Sequence, residues 1–172
     1  MNINFYVINL DRSFERLELI SSQLSSQKID LERISAIDGM NININDEADD
    51  AACRSEMGRS IQPGEVGCFL SHIKALQTFI SSNSDFAVIL EDDAIISSEF
   101  SNRIMDLCSF ITKNKHSSLC SINLGPSDYK YTTNIISLSG MNLMKAHRFP
   151  MLATGILWTK DGADLILKQH NK

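Results

Sequence analysis

Residues 86–94 read "FAVILEDDA", and the way this stretch ends decides how the chain is read. Five apolar residues run straight into three carboxylates, Glu91, Asp92 and Asp93. A short continuous apolar run of this kind reads as a strand buried on both faces. Carboxylates packed this closely raise one another's pKa unless a cation compensates. They form either a solvated turn or one wall of a site for something positive. A chain with 21 acidic residues in 172 produces such triplets without a function, so existence alone decides nothing. Position says more. Parallel α/β sheets bind ligands outside the carboxyl ends of their strands, and "FAVIL" delivers its carboxylates there. A hard divalent cation, Mg²⁺ or Mn²⁺, is the usual counterpart, with substrate phosphates and water completing the shell. The pattern leaves metal site and solvated turn both open. "DEADD" at 46–50 is equally acidic but follows no strand, and it reads as a solvated loop.

Upstream, "INFYVINL" (3–10) is a second buried strand, rich in β-branched and aromatic residues. "DRS" then offers helix caps, and Phe14, Leu17, Ile20 and Leu24 fall at helical spacing. "DLERISAIDG" (30–39) alternates and closes on an Asp-Gly turn. Strand, helix, strand is a βαβ unit, whose right-handed crossover makes a parallel sheet. Residues 41–62 are polar and acidic, and are expected to form a long surface loop with room for one short helix. "PGEVGCFLSHIKALQTFISS" (63–82) restarts order as a helix with Val66, Phe69, Leu70, Ile73, Leu76 and Ile80 as its stripe.

Downstream, "SSEF" (97–100) caps a helix with Phe100, Ile104, Leu107 and Ile111 at its core face. "SINLG" (121–125) is a short strand, 129–140 a hairpin arm, "ATGILWT" (153–159) a strand and "KDGADLILKQ" (160–169) a helix. The expected architecture is one α/β domain over 1–172, a mixed, mostly parallel sheet with helices on both faces.

Composition excludes several classes. A formal net charge of −5 advertises no basic face for nucleic acid. No apolar run is long enough to span a bilayer, and the N-terminus lacks the basic start of a signal peptide. Both absences favour the cytoplasm. The four cysteines, Cys53, Cys68, Cys108 and Cys120, have no C-x-x-C spacing and read as reduced core thiols.

Two further clusters carry polar chemistry. Asn9, Asp11, Arg12 and Arg16 follow the first strand; the arginines either clamp a diphosphate or pair with Glu15 and Glu18 on the helix surface. On a helical wheel Glu65 and His72 share one line at the edge of the apolar stripe, and Ser71 points away from them. An edge histidine is either a packing residue or a catalyst. No Ser-His or Cys-His nucleophile stands out, and Gly58, Gly64 and Gly67 do not form a phosphate loop. A phospho-acceptor receiver domain would need a later strand ending in Asp, and "SINLG" supplies none.

"INLDRSFER", "AIDG", "GEVGCFLSHIKA" and "VILEDDA", in this order and spacing, together resemble glycosyltransferase family 25. This is the family of bacterial lipopolysaccharide and lipooligosaccharide glycosyltransferases and of animal collagen galactosyltransferases. The resemblance covers residues 3–100 strongly and continues more weakly through "ATGILWTKDGADLIL". It implies a GT-A type, Rossmann-like fold and a metal-dependent, inverting transfer of galactose from a UDP-sugar to a saccharide or lipid-linked acceptor. Mn²⁺ or Mg²⁺ is the implied cofactor, with Asp93 and Glu91 as metal carboxylates. The resemblance carries donor-binding roles to Asn9, Asp11, Arg12, Arg16, Asp38, Gly39, Ser71, His72, Glu91 and Asp92. Gly67 matches the same helix motif as Ser71 and His72, without an individual role for any of the three. Asp93 and Asp128 are the expected catalytic residues, Asp128 as base. Family members continue well past the "GADLIL" helix, so acceptor-side residues are expected outside this sequence. The alternative is an inactive donor-binding domain that works through a partner. The implied setting is bacterial and cytoplasmic, with peripheral association at the inner face of the inner membrane, and a dimer could cover any apolar patch left by a short chain.

Overall fold

Strand β1, Ile3–Asn9, becomes fully buried along its second half, as its unbroken apolar run requires. The computed structural model describes residues 1–114, 120–125, 131–138, 140–147 and 152–170. After β1 come helix α1, Phe14–Ser26, and strand β2, Glu32–Ser35. A single 3₁₀ turn at Gly39–Asn41 follows. The segment expected as a loop then holds two helices, α2, Ile44–Glu47, and α3, Asp50–Met57. Caps sustain α3 rather than a buried stripe. Asp49 accepts from Ala52 N at 3.0 Å, and Gly58 closes the helix at φ 71°.

Helix α4, Pro63–Ser81, leads into strand β3, Phe86–Glu91, and helix α5, Phe100–Asn114. Strand β4, Ser121–Asn123, and the hairpin β5, Thr132–Leu138, with β6, Met141–Ala146, come next. Strand β7, Gly155–Thr159, and helix α6, Lys160–His170, complete the described chain.

The main sheet has five strands in the order β2-β1-β3-β7-β4, and the hairpin stands apart as its own two-stranded sheet. β1 pairs in parallel with both β2 and β3. β7 runs antiparallel to β3 and to β4, so it alone is reversed among the five. The sheet is therefore mixed and mostly parallel, with helices on both faces: the Rossmann-like, GT-A type arrangement.

Alternation along the strands sorts two cores. Val7, Val88, Leu90 and Leu157 pack with Ile20 and Leu24 of α1 and Ile104, Leu107 and Ile111 of α5. Tyr6, Ile8, Ala87, Ile89 and Trp158 pack with Ala75, Leu76 and Phe79 of α4 and Ala163 of α6. Because Ile8 lies opposite Glu91, the carboxyl ends of β1 and β3 open side by side. The residues that follow both strands meet there.

Candidate active site

Asn9 is the residue on which this end of the sheet is built. It is the last residue of β1 and is 1 % exposed. Its Nδ2 donates to Ser13 O at 2.9 Å, which holds the turn into α1, and to Asp92 Oδ2 at 2.7 Å. Its Oδ1 accepts from Arg33 Nε at 3.1 Å. A buried side-chain amide needs such partners, because each polar group left without one costs about 1–3 kcal/mol.

The three consecutive carboxylates do not crowd one another; each takes its own direction. Glu91 turns toward α4, where Cys68 Sγ donates to its Oε1 at 3.1 Å and His72 Nε2 lies 3.5 Å away. Asp92 turns toward β1 and α1, held by Asn9 and by Arg16 Nη1 at 3.3 Å. Asp93 faces solvent and makes no hydrogen bond or ion pair among the described residues. His72 holds Glu91 below its ordinary carboxylate value, against the opposing effect of burial, with the Cys68 thiol assisting. Burial, and then Glu91, push the Cys68 thiol up to about 12.

On the β2 side, Asp11 accepts from Ser35 Oγ at 2.8 Å and pairs with Arg33. Ser35 and then Arg33 lower its pKa. Arg12 pairs with Asp38, and Met40 N also donates to Asp38 at 3.2 Å; these two contacts lower the Asp38 pKa. Asn9 at the end of β1 and the three polar residues that follow, Asp11, Arg12 and Arg16, are thus each tied to a neighbouring element, Arg12 to the Asp38 turn and Arg16 to the β3 end.

Helix α4 serves three neighbours at once, and this separates the residues of its motif. Gly67 and Ser71 seat the turn at 36–39. A Cβ on Gly67 would stand 2.6 Å from Gly39 N and Ile37 O, and one on Gly39 would stand 1.7 Å from Pro63 O. Ser71 Oγ accepts from Ile37 N at 2.8 Å and donates to Gly67 O at 2.6 Å. One position further along, Cys68 and His72 face Glu91. Ala75, Leu76 and Phe79 pack on the sheet.

This departs from the simple wheel. Ser71 is buried at 1 % exposure, and Phe69, expected in the core stripe, is 49 % exposed with its ring edge-on to His170. Close packing of two backbones favours the small face of the helix over the aromatic one. Glu65 does not join His72. It makes a two-pronged pair with Arg59, at 2.8 and 2.5 Å, and accepts from Gln62 N at 2.9 Å.

Asn9, Arg16, Asp92, Glu91 and His72 are therefore gathered at one sheet edge, and Asp11, Arg12, Asp38, Gly39 and Ser71 form the adjoining shoulder. Asp128 lies outside the described residues. The sequence reading missed Arg33, Ser35 and Cys68. Arg33 and Ser35 face Val7 and Asn9 in the β1–β2 register, a pairing only the sheet reveals. Cys68 was read as a core thiol, although its spacing of four from His72 was visible.

A hard cation needs oxygen ligands, and one or two protein carboxylates suffice when substrate phosphates supply the rest. Asp93 fits that need, being exposed and uncommitted among the described residues. Glu91 fits it less well, since its Oε1 is held by a thiol and approached by an imidazole.

A mixed Rossmann-like sheet with helices on both faces and its polar residues at one strand-end edge is consistent with a GT-A type fold. The sequence model of glycosyltransferase family 25, described as an LPS biosynthesis protein, matches residues 2–151, and the chain belongs to that family. Among relatives, mouse procollagen galactosyltransferase 2 is 28 % identical over 117 residues, 63 % of this chain and 18 % of its own length. An Aedes aegypti glycosyltransferase 25 family member is 29 % identical over 108 residues, 59 % of this chain and 18 % of its own. The human inactive glycosyltransferase 25 family member 3 is 29 % identical over 122 residues, 64 % of this chain and 20 % of its own. The chain thus matches a fifth or less of these relatives. Among the described residues, no helix is long and apolar enough to cross a membrane.

Proposed function

We propose that the chain binds a UDP-sugar, most simply UDP-galactose, and transfers the sugar with inversion to a saccharide acceptor. The observation that supports this best is the junction of β1 and β3, where Asn9 holds Asp92, Arg16 pairs with it, and Asp93 stands uncommitted among the described residues. Asp93 is the carboxylate for the divalent cation of the donor diphosphate, Mn²⁺ or Mg²⁺, with substrate oxygens completing the shell. When bound, that cation would neutralise charge on the departing diphosphate. Arg16, 60 % exposed, can leave Asp92 for a phosphate oxygen, and Arg12 can do the same from Asp38. Asp38 and Asp11 orient the arginines and offer acceptors for donor hydroxyls.

In the transfer, the acceptor hydroxyl oxygen forms a bond to the anomeric carbon as the bond to the diphosphate breaks. The hydroxyl proton passes to a base, for which Asp128 is the candidate in this sequence. One displacement inverts the centre and requires no protein nucleophile. The acceptor setting proposed is the assembly of a lipopolysaccharide or lipooligosaccharide at a cytoplasmic membrane face, following the family description.

The test is release of UDP from UDP-galactose with Mn²⁺, with and without saccharide acceptors, in the wild type and in Asp93→Ala. Release that requires Asp93 supports the reading. Failure of UDP-galactose to bind, or to raise the unfolding temperature with Mn²⁺ present, overturns it. A second reading is favoured by relatives named as inactive members of the family. On that reading the chain is a donor-binding domain, and UDP binds without turnover.

A further inference from the structure

Cys68, His72 and Glu91 form a cluster that donor binding leaves unused. Cys68 and His72 sit one turn apart on α4, the spacing that sets two side chains on one helical face. Glu91 closes the group from the end of β3. One ligand atom from each lies within 4.8 Å of both others. Two of the separations are 3.1 Å, Cys68 Sγ to Glu91 Oε1, and 3.5 Å, His72 Nε2 to Glu91 Oε1. Ligand atoms on a tetrahedron with ordinary Zn–S, Zn–N and Zn–O bonds stand about 3.4–3.6 Å apart. The side chains are thus near a coordinating arrangement before any metal arrives.

A second observation points to the same place. His72 is 8 % exposed, and neither ring nitrogen has a hydrogen-bond partner among the described residues. The Glu91 contact at 3.5 Å is too long to supply a full hydrogen bond. A buried imidazole is usually satisfied, because leaving it bare costs free energy. A metal ligand role would satisfy one nitrogen directly.

We propose that Cys68, His72 and Glu91 form a binding site for a borderline-soft divalent metal of the zinc class, separate from the cation carried by the donor diphosphate. The donor set carries the distinction. Thiolate and imidazole select zinc-class ions, whereas Mg²⁺ and Mn²⁺ prefer oxygen ligands such as Asp93. Three protein ligands leave a fourth position for water or a substrate oxygen, the arrangement of an open zinc site. Glu91 belongs to this site and Asp93 to the donor, so neighbouring residues of one strand end serve two different ions. The site stands independently of sugar transfer.

The test is titration of the chelator-treated full chain with Co²⁺ and then Zn²⁺, read by absorption. Expected are one Co²⁺ per chain, bound tighter than about 1 µM, a near-ultraviolet thiolate-to-cobalt band, visible bands of tetrahedral cobalt, and displacement of all three by Zn²⁺. Cys68→Ser, which keeps the side-chain size, should abolish the thiolate band. His72→Gln should weaken binding at least tenfold, and Asp93→Ala should leave the titration unchanged. Circular dichroism and thermal unfolding establish that each variant is folded. Absence of binding in the folded wild type overturns the proposal. So does binding without a thiolate band, or binding that survives Cys68→Ser and His72→Gln but is lost in Asp93→Ala. UDP release does not enter this readout, so the two proposals fail separately.

Discussion

Asn9 Nδ2 donates to Asp92 Oδ2 at 2.7 Å, joining residues 83 apart in the chain across the ends of adjacent parallel strands. The same amide nitrogen holds Ser13 O, and the amide oxygen accepts from Arg33. One buried side chain thus fixes the first turn of α1, the tip of β3 and an arginine of β2.

Replacing Asn9 by Leu keeps the branching at Cγ and removes all three links. The expected cost is about 2 kcal/mol, from a part-buried carboxylate and guanidinium left short of partners. Urea unfolding measures it. Asn9→Asp should be as damaging, since it sets a carboxylate against Asp92 and restores no donor.

Arg16 and Asp92 pair at 3.3 Å, with Arg16 60 % exposed. An exposed ion pair contributes little to stability, so Arg16→Ala should shift unfolding by less than about 1 kcal/mol. On the proposed donor reading, the same substitution should weaken UDP binding about tenfold at low salt, by loss of a charge-assisted contact. Calorimetry at two ionic strengths checks both parts, and the difference between variant and wild type should shrink as salt rises.

The seat between the 36–39 turn and α4 has no room for a methyl group. At Gly39 the nearest obstacle is a backbone carbonyl, Pro63 O, 1.7 Å from where a Cβ would stand. Gly39→Ala should cost about 3 kcal/mol, because a backbone and not a flexible side chain must move. Gly64→Ala, at the residue after Pro63 and with open space at its Cβ, should cost no more than about 0.5 kcal/mol. Thermal unfolding of the two variants compares the two sides of one contact between turn and helix.

Glu65 titrates far from its ordinary value. The paired Arg59 guanidinium, and then the Gln62 backbone N–H, hold its carboxyl at about 2 against a usual 4.5. Its folded-state pKa is depressed, so its contribution is present above the unfolded value. It is lost as pH falls from about 4.5 through 2. Unfolding midpoints measured between pH 5 and 2 should therefore fall more steeply in the wild type than in Arg59→Ala. Near pH 7 the wild type should therefore be the more stable, by a small margin because both groups of the pair are exposed, and that margin should close as pH falls to 2.

Much of this was legible from residue order, and the rest failed for identifiable reasons. β1 and β3 declare themselves, because a strand buried on both faces needs an unbroken apolar run. α1, α4 and α5 show helical spacing. The reversal of β7 is invisible, since "GILWT" carries no sign of direction and only its partners set it. The helices α2 and α3 lack buried residues, so periodicity could not reveal them; Asp49 and Gly58 hold the ends of α3 instead. The site residues Asn9, Arg16 and Asp92 could be named but not joined. Their joining depends on the register that sets Ile8 opposite Glu91. A helical wheel assumes one buried face. It failed on α4 because that helix meets a turn, a carboxylate and a sheet on different sides.

The place of β7 also bears on how the chain comes together. β3 is the central strand, and five of its residues, Phe86 to Leu90, pair with Thr159 to Gly155. During synthesis, some sixty residues must follow β3 before that partner exists. Until then β3 presents a bare edge of Phe, Ala, Val, Ile and Leu, with only the charges at its two ends, Asp85 and the carboxylates from Glu91 on, to discourage pairing with another chain. The strand that later supports the carboxylates is for that interval the part of the molecule most exposed to aggregation. A nascent chain that stalls before Gly155 should need a chaperone more than one that stalls before Asp85.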